Sequence, residues 1–79
     1  MQTTYVLLNT IDKVKSFVNT VSRFESDFDM LSGHYIVDGK SIMGIFSLDL
    51  ARPIKVLVYN DGEFPQIQEA LGDLVVPEE

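Results

Sequence analysis

The chain has one histidine, His34, no cysteine, and twelve acidic against six basic side chains. These counts bound its chemistry. A lone imidazole holds a metal only if other ligands converge on it, and His34 falls in a turn sequence, Ser32-Gly33-His34-Tyr35, so no metal site is expected. Asp12, Asp27, Asp29, Asp49 and Asp61 are of the type that works in pairs as acid and base. They are spread over separate segments, among turn signals and polar strand positions, and read as solvated surface. No dinucleotide fingerprint, phosphate-binding loop or serine-histidine-aspartate arrangement occurs, so neither an enzyme site nor a cofactor is expected. One hydroxyl stands apart. Ser41 precedes the run Ile42-Met43-Gly44-Ile45-Phe46, where it can cap a helix.

The elements that must carry these residues follow from their periodicity. Residues 3 to 8, TTYVLL, suit a strand, and Asn9 and Thr10 are helix-cap types. Val14, Phe17, Val18 and Val21 then form one apolar stripe, which predicts a helix over 11–23. Asp27, Phe28, Asp29 and Met30 alternate, and after Ser32-Gly33 the alternation continues with Tyr35 and Val37 up to Asp38-Gly39. That is a hairpin with one wet face. A short helix is expected at 41–48, weakened by Gly44, and a strand from Ile54 to Tyr59 that Asn60-Asp61-Gly62 ends. Pro65 suits the first turn of a last helix carrying Ile67, Leu71 and Leu74 on one stripe, with Gly72 weakening its end. The order is β-α-β-β-α-β-α, without an internal repeat. Strands with one apolar face each favour an antiparallel sheet with helices on one side, an α+β domain in two layers.

Composition sets the frame. Seventy-nine residues, 46% hydrophobic and 23% charged, make one domain over 1–79, with no linker composition dividing it. The net charge of −6, with scattered Lys and Arg, repels phosphate backbones and anionic membranes. Direct nucleic-acid binding and membrane association are not expected. No apolar run approaches spanning length, Asp12, Lys13 and Lys15 interrupt the stretch a signal peptide would need, and the chain is expected in the cytoplasm.

Phe24-Glu25-Ser26-Asp27, followed by Lys40-Ser41-Ile42-Met43-Gly44-Ile45-Phe46-Ser47-Leu48, resembles the F-x-S-D and K-S-I-M-G-x-x-S-L pattern of the HPr proteins of the sugar phosphotransferase system. The resemblance runs without a gap from about residue 4 to residue 74. It implies an open-faced β-sandwich, a four-stranded antiparallel sheet covered on one face by three helices. In that family the first helix opens on a histidine that carries a phosphoryl group, within G-[LI]-H-A-R-P-A. Thr10 stands where the histidine would be, and Asp12 where the arginine would be. A threonine phosphate ester is inert on a route that needs a labile phosphoramidate, and a carboxylate repels the phosphate that an arginine would bind. The Ala51-Arg52-Pro53 triplet echoes the family's motif without its histidine and is read as coincidence.

The resemblance therefore implies a non-catalytic regulator resembling the catabolite-repression HPr-like proteins. Its Ser41 would be the target of an HPr kinase/phosphorylase. Ile42, Met43 and Phe46 match the patch with which the family docks partners, here a catabolite-control transcriptional repressor, with Enzyme I-like proteins as further candidates. Two alternatives stay open: a phosphocarrier with an atypical acceptor, and a binding module that is never phosphorylated. The oligomeric state is open, since the strand edge near Tyr35 could pair between copies but nothing in the residues requires it.

Overall fold

Alternating strands and amphipathic helices build two layers in the computed structural model, which describes residues 1–77; the last two residues of the expected domain lie outside them. The strands are β1 (Gln2–Val6), β2 (Phe28–Ser32), β3 (Tyr35–Asp38) and β4 (Ile54–Val58), and the helices are α1 (Ile11–Val21), α2 (Ile42–Phe46) and α3 (Phe64–Leu71). All joints of the sheet are antiparallel, in the order β1-β4-β2-β3. The chain is α+β, as its residue pattern predicts.

One face of the sheet carries the core. Val6, Phe28, Met30, Ile54, Val56 and Val58 point inward at period two and are fully or almost fully buried. Val14, Phe17 and Val21 of α1, Ile45 of α2 and Ile67 and Leu71 of α3 close over them. The stripe expected on α1 is the one that is buried.

Differences from the sequence-based expectation lie at the ends and the edge. Strand β1 stops at Val6, yet Leu7 and Leu8 stay useful: Leu7 N–H bonds the Leu74 carbonyl at 3.1 Å, and Leu8 is buried in the core. Helix α1 ends two residues early, with Ser22 as its cap. Helix α3 stops at Leu71 because Gly72 takes a φ of 52°, and Leu74 falls in a separate 3-10 turn, Gly72–Leu74. This detour has a use. Val76 N–H bonds the Tyr5 carbonyl at 2.9 Å, and Val75 bridges Val6, so the tail covers part of the outer edge of β1.

Tyr35 does not join the core, although it alternates with Val37. Ser32 pairs with Tyr35 at the tip of the hairpin, beyond the reach of the helices, so Tyr35 shares the helix-covered side yet stays exposed. The tip itself is a two-residue turn whose Gly33 has a φ of 60°, with His34 on the negative side, which matches the strand twist.

Candidate functional site

Helix α2 brings the sequence-singled residues together. Ser41 sits at its N-cap in extended backbone, and its Oγ accepts a bond from Gly44 N–H at 3.2 Å. Capping thus holds the hydroxyl at the start of the helix. Ile45 is the residue α2 buries. Met43 is 76% exposed and Phe46 39%, whereas Ile42 is half-buried and packs against the core. Of the three apolar residues expected to form a docking patch, Met43 and Phe46 present the surface and Ile42 anchors it.

Gly44 weakens the helix for a reason that the sequence does not show. A Cβ at this position would lie 3.2 Å from Val37 Cβ and 3.3 Å from Ser41 Oγ. The missing side chain lets α2 sit close over β3 while its serine caps it.

The two motifs around this helix are tied to the scaffold. Lys40 Nζ donates to the Phe24 carbonyl at 2.9 Å and lies 5.7 Å from the centre of the Phe28 ring, so it joins the entry of β2 to the entry of α2. Ser26 is buried, donates to the Asp27 carbonyl at 2.8 Å and accepts from Asn60 N–H at 3.0 Å. Glu63 completes this knot by accepting from Ser26 N–H at 2.8 Å. Sequence reasoning gave Glu63 no role; a glutamate just before a proline-started helix is indistinguishable there from an ordinary first-turn acid.

At the neighbouring helix, Thr10 is the N-cap of α1 and its Oγ1 accepts from Lys13 N–H at 3.2 Å. Asp12 is exposed in the first turn. Ile11, between them, is 62% exposed and was not singled out from the sequence, because as a helix-starting residue it looks like core. Helices α1 and α2 touch, so Ile11, Met43 and Phe46 belong to one helical layer.

The remaining titratable residues do not converge there. His34 is exposed in the hairpin turn. Asp49 faces Arg52 at 3.7 Å in the loop after α2, both largely exposed. Asp29 accepts from the Tyr59 hydroxyl, and this bond, then partial desolvation and the charges of Asp29 and Asp27, raise the Tyr59 pKa above its ordinary value. Among the described residues no three His, Asp or Glu side chains group so as to hold a metal ion. No helix there is long and apolar enough to cross a membrane.

Comparison with known proteins agrees with this geometry. The family model described as "PTS HPr component phosphorylation site" matches residues 13–76, so its match begins after Thr10 and Asp12. Among solved structures, an HPr-C-His protein from Thermoanaerobacter tengcongensis is 27% identical with a TM-score of 0.77, over 95% of this chain and 91% of that one. A phosphocarrier protein HPr from Bacillus anthracis is 25% identical with a TM-score of 0.71, over 95% and 94%. A Mycoplasma histidine-containing phosphocarrier protein, 13% identical with a TM-score of 0.71 over 89% and 86%, shares the fold. No curated protein matches. With the family model spanning most of the chain and the sheet order and helical layer in place, the chain belongs to the HPr family of the phosphotransferase system.

Proposed function

We propose that this HPr-family chain is a regulator rather than a phosphoryl relay, docked by protein partners through α2 and controlled by phosphorylation of Ser41. The observation that carries the reading is Ser41 capping a helix whose next turn exposes Met43 and Phe46. A phosphate there adds a dianion beside an apolar contact surface, and so changes which partners that surface accepts. Methionine and phenylalanine suit adaptable contacts. The expected partners are an HPr kinase/phosphorylase and a catabolite-control transcriptional repressor.

Two further residues support the absence of relay chemistry. Thr10 occupies the helix start as a capping hydroxyl, and Asp12 puts negative charge into the turn where a transferred phosphate would need cations. The chain's one imidazole, His34, lies on the hairpin turn, on another element.

The test is intact mass after incubation with ATP and an HPr kinase/phosphorylase, beside Ser41→Ala. One added phosphate that the variant lacks is the expected result; no addition overturns the switch. A parallel incubation with phosphoenolpyruvate and Enzyme I is expected to add no acid-labile phosphoryl group, and its appearance would overturn the non-relay reading.

A further inference from the structure

Strand β3 ends the sheet, and among the described residues no strand pairs with its outer edge. Two of its side chains, Tyr35 and Ile36, are 65% and 66% exposed. Being adjacent in a strand, they lie on opposite faces. Edges of this kind accept an added strand unless charge, proline or a covering segment prevents it.

The register of the hairpin tells which backbone groups remain at the edge. Gly39 N–H bonds the Phe28 carbonyl at 2.8 Å, and the pairs Met30↔Val37 and Ser32↔Tyr35 follow at steps of two residues. Hydrogen-bonded pairs alternate with non-bonded ones in an antiparallel ladder, so Leu31↔Ile36 and Asp29↔Asp38 are the non-bonded pairs. Ile36 and Asp38 therefore turn their N–H and C=O groups away from β2. The Asp38 carbonyl already accepts from Ser41 N–H at 3.0 Å. Both groups of Ile36 and the N–H of Asp38 are left facing outward.

We infer that this edge pairs with the same edge of a second copy, antiparallel about a twofold axis through Ile36. In that register Ile36 meets Ile36 of the partner subunit, Tyr35 meets Val37 of the partner subunit, and His34 meets Asp38 of the partner subunit. The outward backbone groups of Ile36 bond across the axis, and each Asp38 N–H reaches the carbonyl of His34 of the partner subunit. Both exposed apolar side chains are covered at once, one on each face.

A donor facing a carboxylate selects this register over its neighbours. Asp38 Oδ1 is held by Lys40 N–H at 2.9 Å, which leaves Oδ2 for an imidazole donor. Asp38 also stands directly opposite Asp29, a like-charge cross-strand pair that is unfavourable in a single copy. His34 of the partner subunit would approach this acid pair from its open side and offer it an N–H donor. Sliding by two residues one way sets Ile36 against Asp38 of the partner subunit and His34 against Lys40 of the partner subunit. Sliding the other way sets Ile36 against His34 of the partner subunit and leaves Asp38 opposite Ser32 of the partner subunit. Neither slip sets the His34 imidazole against a carboxylate or covers Ile36 with an apolar partner.

So short an edge makes a contact at or below the small end of specific interfaces, roughly 1,200 Å², and the dimer is weak, with a Kd of about 10–500 µM. Sedimentation velocity on the full chain, from about 5 µM to about 1 mM, reads it directly. A monomer–dimer equilibrium is expected, weakened at least tenfold by Ile36→Asp and by His34→Glu and kept by His34→Lys, which retains a donor facing Asp38 of the partner subunit. Ile36 and His34 are exposed, so unchanged circular dichroism and melting separate lost association from lost folding. Met43→Asp, on α2, is expected to leave the equilibrium unchanged. A monomer throughout, or a dimer that survives Ile36→Asp or dissolves with Met43→Asp, overturns the inference.

Discussion

Thr10 and Ser41 perform the same backbone task at two helix starts, each accepting one N–H that the helix cannot satisfy itself. Replacing either by alanine removes one capping bond, so Thr10→Ala and Ser41→Ala are each expected to cost about 1 kcal/mol in urea unfolding, with Thr10→Ser close to neutral. Any loss of partner binding in Ser41→Ala beyond that stability change then supports the regulatory role proposed for the hydroxyl. Tyr59 offers a pH-dependent test. Its pKa is raised from 10.0 by the bond to Asp29, so folding favours the protonated phenol. That contribution is fully present below pH about 10 and is lost as pH rises through the folded value. Absorbance titration of the tyrosines should show one phenol whose pKa falls in Asp29→Asn, and melting at alkaline pH should depend less on pH in Tyr59→Phe. The sequence pointed to Ser41 as a cap because a hydroxyl before a short apolar run is a local pattern, and to Ile42, Met43 and Phe46 because they match the family's docking patch. It was silent on Glu63, whose bond to Ser26 depends on a neighbour far along the chain.

At the scale of elements, glycine placement decides how closely the layers approach. A Cβ on Gly39 would stand 2.6 Å from Phe28 Cβ at the foot of the β2–β3 hairpin, with the Phe28 carbonyl at 3.4 Å. Gly39→Ala is therefore expected to destabilise by about 1–3 kcal/mol, since a core-anchored phenylalanine must move. Chemical denaturation measures this, and a neutral result would mean that the hairpin foot relaxes freely. The elements themselves were legible, because period-two and helical stripes identify β1, β2, β4, α1 and α3 from residues close in sequence. What was not legible was where each stops. Gly72 reads as a weak helical residue in sequence, yet its positive φ ends α3 and sends Leu74 and Val75 to the edge of β1. Tyr35 likewise keeps the alternation of β3 but sits past the end of the helical cover, a matter of layer size rather than of pattern.

Taken whole, the molecule rests on one cluster in which Phe17 is fully buried between α1 and the sheet. Phe17→Ala is expected to cost about 3–5 kcal/mol, comparable to the total stability of so small a chain, and thermal unfolding should show loss of a cooperative transition near room temperature. Ending the chain after Gly72 should lower the melting temperature and promote aggregation, because it strips the cover from β1 where Leu7 and Tyr5 bond the tail. The sheet order has a consequence for how the protein comes into being. β4 lies between β1 and β2, yet it is the last strand in the chain. On the ribosome β1 therefore waits unpaired until Val58 has emerged, a delay of several seconds at synthesis rates of roughly 5–20 residues per second. Until then the β2–β3 hairpin is the one piece of sheet the nascent chain can assemble, so the core is born late and in one step, when the middle strand arrives to join β1 to the hairpin.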